Sequence, residues 1–120
     1  MEETHPVIDD RTLAEIRDLM AEDFGDFIER FLVDAADLLD GADRALADGD
    51  ARGVELSAHT LKSSAASVGA RALSEAACDL EASGRSRELS GAGPLLAQTR
   101  AELERAGHAF AVQIERKPST

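Results

Sequence analysis

The stretch ARGVELSAHTLKSSAASVGA, residues 51–70, reads as one amphipathic helix with its chemistry on the outer side. At about 100° per residue, Arg52, Glu55, Leu56, Lys62, Ser63 and Ala66 fall within about 60° of His59, while Val54, Ala58, Leu61, Ala65 and Val68 lie on the other side. The apolar stripe needs a core to cover it, so the opposite stripe, with His59 on it, is predicted to face water. Neutral imidazole is a nucleophile, and histidine is the side chain that exists partly in that form at physiological pH. Lys62, one turn on, supplies positive charge where phosphoryl oxygens would gather, and Ser63 and Ala66 leave the ring open to another protein's active site.

Working outward, Gly49 can end the preceding helix in a left-handed conformation and Asp50 can cap the helix that bears His59. Gly69 is expected to end that helix in the same way. The preceding helix, over about residues 23–48, carries Phe24, Phe27, Ile28, Phe31, Leu32, Ala35, Leu38, Leu39, Ala42 and Leu46 on one broad face. Thr12 and Glu15 have capping-box spacing ahead of a short helix with Leu13, Ile16, Leu19 and Met20 inward. After Gly69, Leu73, Ala76, Ala77 and Leu80 mark a fourth helix fading near Ser83-Gly84, and a polar loop follows. Pro94 suits the first turn of a last helix, with Ser86 as a candidate cap for an earlier start; Leu95, Leu96, Thr99, Leu103, Ala106, Phe110 and Ile114 are its inward stripe. The expectation is an all-α fold: an antiparallel up-down-up-down four-helix bundle with an additional short N-terminal helix, over residues 9–116, between flexible tails at 1–8 and 117–120.

Composition agrees. With four Phe, no Trp and no Tyr, the core is left to Leu, Ala, Val and Ile. The 24 Asp plus Glu against 13 Lys plus Arg give a net charge of −11, which opposes binding to nucleic acid or anionic lipid. No apolar run is long enough to span a bilayer and no secretory signal is visible, so a cytoplasmic protein is expected. Cys78 is the one cysteine, which rules out an intrachain disulfide, and it reads as core or half-buried filler. The acidic side of the second helix, Asp34, Asp37, Asp40 and Asp43, reads as a solvated face, and no metal site is assigned. Gly41 and Gly107 fall inside predicted helices without indicating a function.

The string Ala58-His59-Thr60-Leu61-Lys62-Ser63-Ser64-Ala65, with Val68-Gly69-Ala70, Leu73 and Leu80-Glu81 downstream, resembles a histidine-containing phosphotransfer (HPt) domain of bacterial two-component phosphorelays. In detail the likeness covers roughly residues 50–84. It implies that His59 is the phosphoacceptor, that Lys62 stabilises the phosphoryl group, and that Arg52, Glu55, Leu56, Ser63 and Ala66 form the docking surface, with Gly69 structural. It implies response regulator receiver domains and a hybrid histidine kinase as partners, Mg²⁺ carried by the receiver rather than by this chain, and a monomeric phosphocarrier without kinase activity of its own. The position after the lysine, most often glycine in the family, is Ser63 here, still small enough for close approach.

Two other readings compete. One is the phosphoacceptor module of a chemotaxis-type histidine kinase, which also resembles this bundle. The other is a helical adaptor that is never phosphorylated, with His59 and Lys62 as ordinary surface residues. Glu55, one turn before His59, could accept a hydrogen bond from the imidazole, but a solvated carboxylate is the preferred reading. His5 and His108 have no motif around them and are expected to be inert.

Overall fold

The computed structural model describes residues 6–115, and every regular element among them is helical. The helices are α1 (Asp10–Met20), α2 (Phe24–Ala47), α3 (Ala51–Ser67), α4 (Arg71–Ser86) and α5 (Ala92–Glu115), with short 3₁₀ turns at Ala21–Asp23 and Leu89–Gly91. From α2 to α5 each helix packs on the next, and α5 closes against α2. The result is the antiparallel four-helix bundle expected, with α1 as the extra short helix.

The core is built by the stripes read in the sequence. Ile28, Leu39, Val54, Leu61, Val68, Leu73, Leu80 and Phe110 are each at most 1% exposed. Phe31 and Phe110 meet edge to face across the α2–α5 contact, with ring centroids 6.1 Å apart. α1 closes the end of the bundle where α3 ends and α5 finishes: Leu13 enters the core, the Asp9 amide donates to the Gly69 carbonyl at 2.7 Å, and Arg17 donates to the Gln113 carbonyl at 2.7 Å. Of the stretch expected as a tail, the Pro6 carbonyl accepts from the Ala72 amide at 3.1 Å, and Val7 and Ile8 pack against the core. His5 and residues 117–120 lie outside the described residues.

The turns that aim α3 follow the sequence closely. Gly49 and Gly69 take φ of +69° and +78°, and the Asp50 carboxylate caps α3 by accepting from the Gly53 amide at 2.9 Å. A Cβ at Gly69 would also stand 3.1 Å from the Asp9 carbonyl oxygen, so this glycine lets α1 sit on the α3–α4 turn.

Several local expectations are corrected. α1 is capped by Asp9, whose carboxylate accepts from the amides of Arg11 and Thr12; no Thr12 capping box forms, because an earlier good cap starts the helix first. Leu19 is 84% exposed, since Leu13, Ile16 and Met20 already fill the side of α1 that meets the bundle. Phe27 and Ile114 are exposed because the buried stripes are narrower than the apolar faces that carry them. Cys78 is exposed, not filler: the inward stripe of α4 runs through Ala76 and Ala77 and leaves the next residue about 100° further round, in water.

α4 does not fade at Ser83-Gly84. It runs to Ser86 and ends at Arg87 in a left-handed conformation. Gly84 is buried against α3, where a Cβ would lie 2.6 Å from the Glu55 backbone nitrogen and 2.9 Å from the Ala51 carbonyl oxygen. The glycine permits the close approach of α3 and α4 on which the functional site depends. Gly84→Ala is therefore expected to destabilise the fold by about 1–3 kcal/mol, as overpacking does, despite alanine's better helix propensity. A lowered denaturation midpoint would bear this out, and a raised one would contradict the close approach.

Candidate functional site

His59 lies on the outer side of α3, next to α4, with its side chain 58% exposed. Its Nδ1 is 2.7 Å from Oε2 of Glu81, on α4. Oε1 of the same carboxylate accepts from Lys62 Nζ at 2.5 Å, and Oε2 also accepts from Arg85 Nη2 at 2.9 Å. One carboxylate thus gathers an imidazole, an ammonium and a guanidinium. The Glu81 side chain is only 4% exposed, against 31% for Lys62 and 63% for Arg85, so the anion is sunk in the α3–α4 seam with its cations above it.

A buried carboxylate is tolerable only when its oxygens are satisfied by donors and opposing charge. The Lys62 ammonium holds the Glu81 carboxyl below the usual glutamate range, against the opposing effect of burial and with the His59 hydrogen bond adding to the lowering. A depressed carboxyl contributes stability that is present above its unfolded-state pKa and lost as pH falls through its folded-state pKa, so this cluster weakens in acid. An ionised carboxylate only accepts, so His59 Nδ1 must carry the proton of that bond. In the neutral ring the lone pair is then on Nε2, which has no hydrogen-bond partner among the described residues.

The remaining residues of the predicted face lie along the same side of α3. Arg52, Leu56, Ser63 and Ala66 are exposed, with Leu56 half uncovered, and Glu55 and Lys62 are partly buried. Glu55 is corrected from a solvated carboxylate: it pairs with Arg52 at 3.1 Å and with Arg85 at 3.5 Å, bridging α3 to α4. The place beside the imidazole that Glu55 could have taken belongs to Glu81. Glu81 stands in the string that carries the family resemblance, but no chemical role is assigned to it there, and none to Arg85. The signal in the sequence is register: Glu81 falls eight residues after Leu73 and four after Ala77, a charge on an otherwise apolar stripe, with Arg85 one turn beyond.

Elsewhere, Arg100 joins Asp40 and Asp43 of the acidic face at 2.9 and 2.6 Å, and His108 is exposed on α5. Among the described residues no group of three or more His, Cys, Asp or Glu could hold a metal ion, and no helix is long and apolar enough to cross a membrane.

The site is an exposed histidine on one helix of an antiparallel pair, held by a buried carboxylate on the next, and comparison with known proteins supplies the class. The Hpt domain family model matches residues 26–109, and the chain belongs to that family, the histidine phosphotransfer proteins of two-component phosphorelays. A similar solved structure is that of histidine-containing phosphotransfer protein B (HptB) from Pseudomonas aeruginosa PAO1, 29% identical, with a TM-score of 0.88 over 95% of this chain and 99% of that one. No match was found among curated proteins. Proteins of the family are phosphocarriers that interact with response regulator receiver domains and kinases.

Proposed function

We infer that this protein is a phosphorelay intermediate: His59 accepts a phosphoryl group from the aspartyl phosphate of one receiver domain and passes it to another. The observation that carries this reading is the 2.7 Å contact between Nδ1 of an exposed His59 and the buried Glu81 carboxylate, which commits the ring to the tautomer with a nucleophilic Nε2. The Nε2 lone pair attacks phosphorus in line as the bond to the receiver's aspartyl oxygen breaks, and that oxygen departs with the electron pair. Lys62 adds positive charge beside the spread negative charge of the transfer state. The receiver supplies its own Mg²⁺ and acidic pocket. In this reading the chain works as a cytoplasmic monomer and draws its phosphoryl groups from partners rather than from a kinase activity of its own. The test is to incubate the purified protein with phosphorylated receivers from the same organism and rank their rates of acid-labile label transfer.

Lys62→Ala is expected to slow transfer by roughly one to two orders of magnitude, about 1.4 to 3 kcal/mol of transition-state stabilisation. The ammonium forms no bond to phosphorus, so transfer is weakened but not abolished. An unchanged single-turnover rate at saturating receiver would return Lys62 to plain ion-pairing with Glu81.

The docking surface in this reading is the exposed stripe of Arg52, Leu56, Ser63 and Ala66 around the ring. Ser63→Tyr is expected to weaken receiver affinity and slow transfer while shifting stability by no more than roughly 0.5 kcal/mol, as exposed helix positions generally do. Native transfer rates to every receiver tested would put the docking surface elsewhere.

A further inference from the structure

We propose that the Glu81 carboxylate keeps the Nδ1 proton on the His59 ring after phosphorylation as well, so that phosphoryl gain and loss at Nε2 involve no net proton uptake or release. The proposal rests on the phosphoacceptor reading and extends it from the free nucleophile to the phosphorylated form. Once Nε2 is bonded to phosphorus, with Nδ1 still protonated, the ring carries a positive charge. Loss of that proton would leave a bare nitrogen lone pair facing a buried carboxylate oxygen at 2.7 Å, an acceptor against an acceptor with no donor between them.

Charge points the same way. Before transfer, Glu81 with Lys62 and Arg85 leaves one excess positive charge. A phosphoryl dianion on a protonated ring brings the cluster to neutrality, whereas a deprotonated ring would leave it negative in a partly desolvated seam. The other charged groups nearby on α3, Arg52 and Glu55, pair with each other at 3.1 Å and add no net charge. From α4 the charged groups that bond to His59, Lys62 or Glu55 are Glu81 and Arg85, and among the described residues α2, the other helix packed on α3, sends no hydrogen bond or ion pair to His59.

The consequence lies in donation. When the phosphorus–nitrogen bond breaks, its electron pair returns to Nε2 while a receiver aspartate oxygen bonds phosphorus. A ring that has kept its Nδ1 proton leaves as neutral imidazole. A ring that has lost it would leave as an anion and must first recapture a proton, which makes donation harder as pH rises. Glu81 thus keeps the phosphorylated protein a competent donor on the alkaline side of neutrality.

The test uses the full chain labelled with ¹⁵N histidine and phosphorylated with phosphoramidate. The one-bond coupling of Nδ1 to its proton is followed from about pH 6.5 to about pH 9, together with the equilibrium of donation to one receiver, for the native protein and for Glu81→Gln. The amide can still accept from Nδ1 but lacks the charge. The native ring is expected to keep its Nδ1 proton across the range while the variant loses it. Using one receiver makes its own titration common to both, so the native-to-variant ratio of donation constants should rise toward tenfold per pH unit at the alkaline end, the signature of one proton. A native ring that sheds its proton over the same range as the variant, or a flat ratio, would overturn the proposal. Should the variant not fold, the coupling in native phosphorylated protein at about pH 9 decides alone. Absence of any phosphoryl group at His59 would overturn the phosphoacceptor reading and this proposal together, an outcome distinct from a phosphorylated ring that fails to hold its proton.

Discussion

His59→Gln is expected to abolish phosphoryl acceptance while leaving helix content and melting temperature nearly unchanged. The imidazole side chain is 58% exposed, so losing the ring opens no cavity in the core. Glutamine can still donate a hydrogen bond toward Glu81, whose charge remains matched by Lys62 and Arg85. Its amide has no nucleophilic lone pair to take phosphorus, so the loss should be complete rather than partial. Transfer of label from a phosphorylated receiver and a thermal melt measure the two halves. A variant that is still labelled would remove His59 from the chemistry, and one that unfolds would make the residue structural.

Leu61→Asp should do the opposite and unfold the domain. Leu61 is two residues from His59 but on the inner side of α3, 1% exposed in the cluster with Val54, Ala58, Ala65 and Val68. Truncating a buried leucine alone costs about 2–5 kcal/mol, and an unpaired buried carboxylate adds several more. Together they reach the roughly 5–15 kcal/mol that holds a typical domain folded. Loss of the cooperative melt and of most helical circular dichroism is the expected result. A stably folded variant would mean that the two sides of α3 are assigned the wrong way round.

The contrast between these neighbouring substitutions was legible in the sequence, because helical periodicity alone separates the His59 stripe from the Leu61 stripe. The turns were legible for a similar reason: Asp50 beside Gly49, and Gly69 at the far end, are residue types whose backbone and capping preferences act locally. What escaped was set between helices. Ser83-Gly84 looks like a helix end, yet Gly84 is the contact that lets α4 approach α3, a demand that exists only once the two are packed. Glu55 and Glu81 show the same limit at the site. The carboxylate one turn away along the helix was the visible candidate for the imidazole, but the bond came from one 22 residues distant on the facing helix. Thr12 loses the capping role to Asp9 through local competition, and Cys78, one step round α4 from the buried Ala77, stands in solvent rather than in the seam.

The central claim is that Glu81 fixes His59 as a nucleophile through Nε2, and it is tested most directly by locating the phosphoryl group. After transfer from a phosphorylated receiver to protein labelled with ¹⁵N histidine, nuclear magnetic resonance should show phosphorus coupled to Nε2 of His59, with the proton on Nδ1. Phosphorus on Nδ1, or on any residue other than His59, would contradict the account.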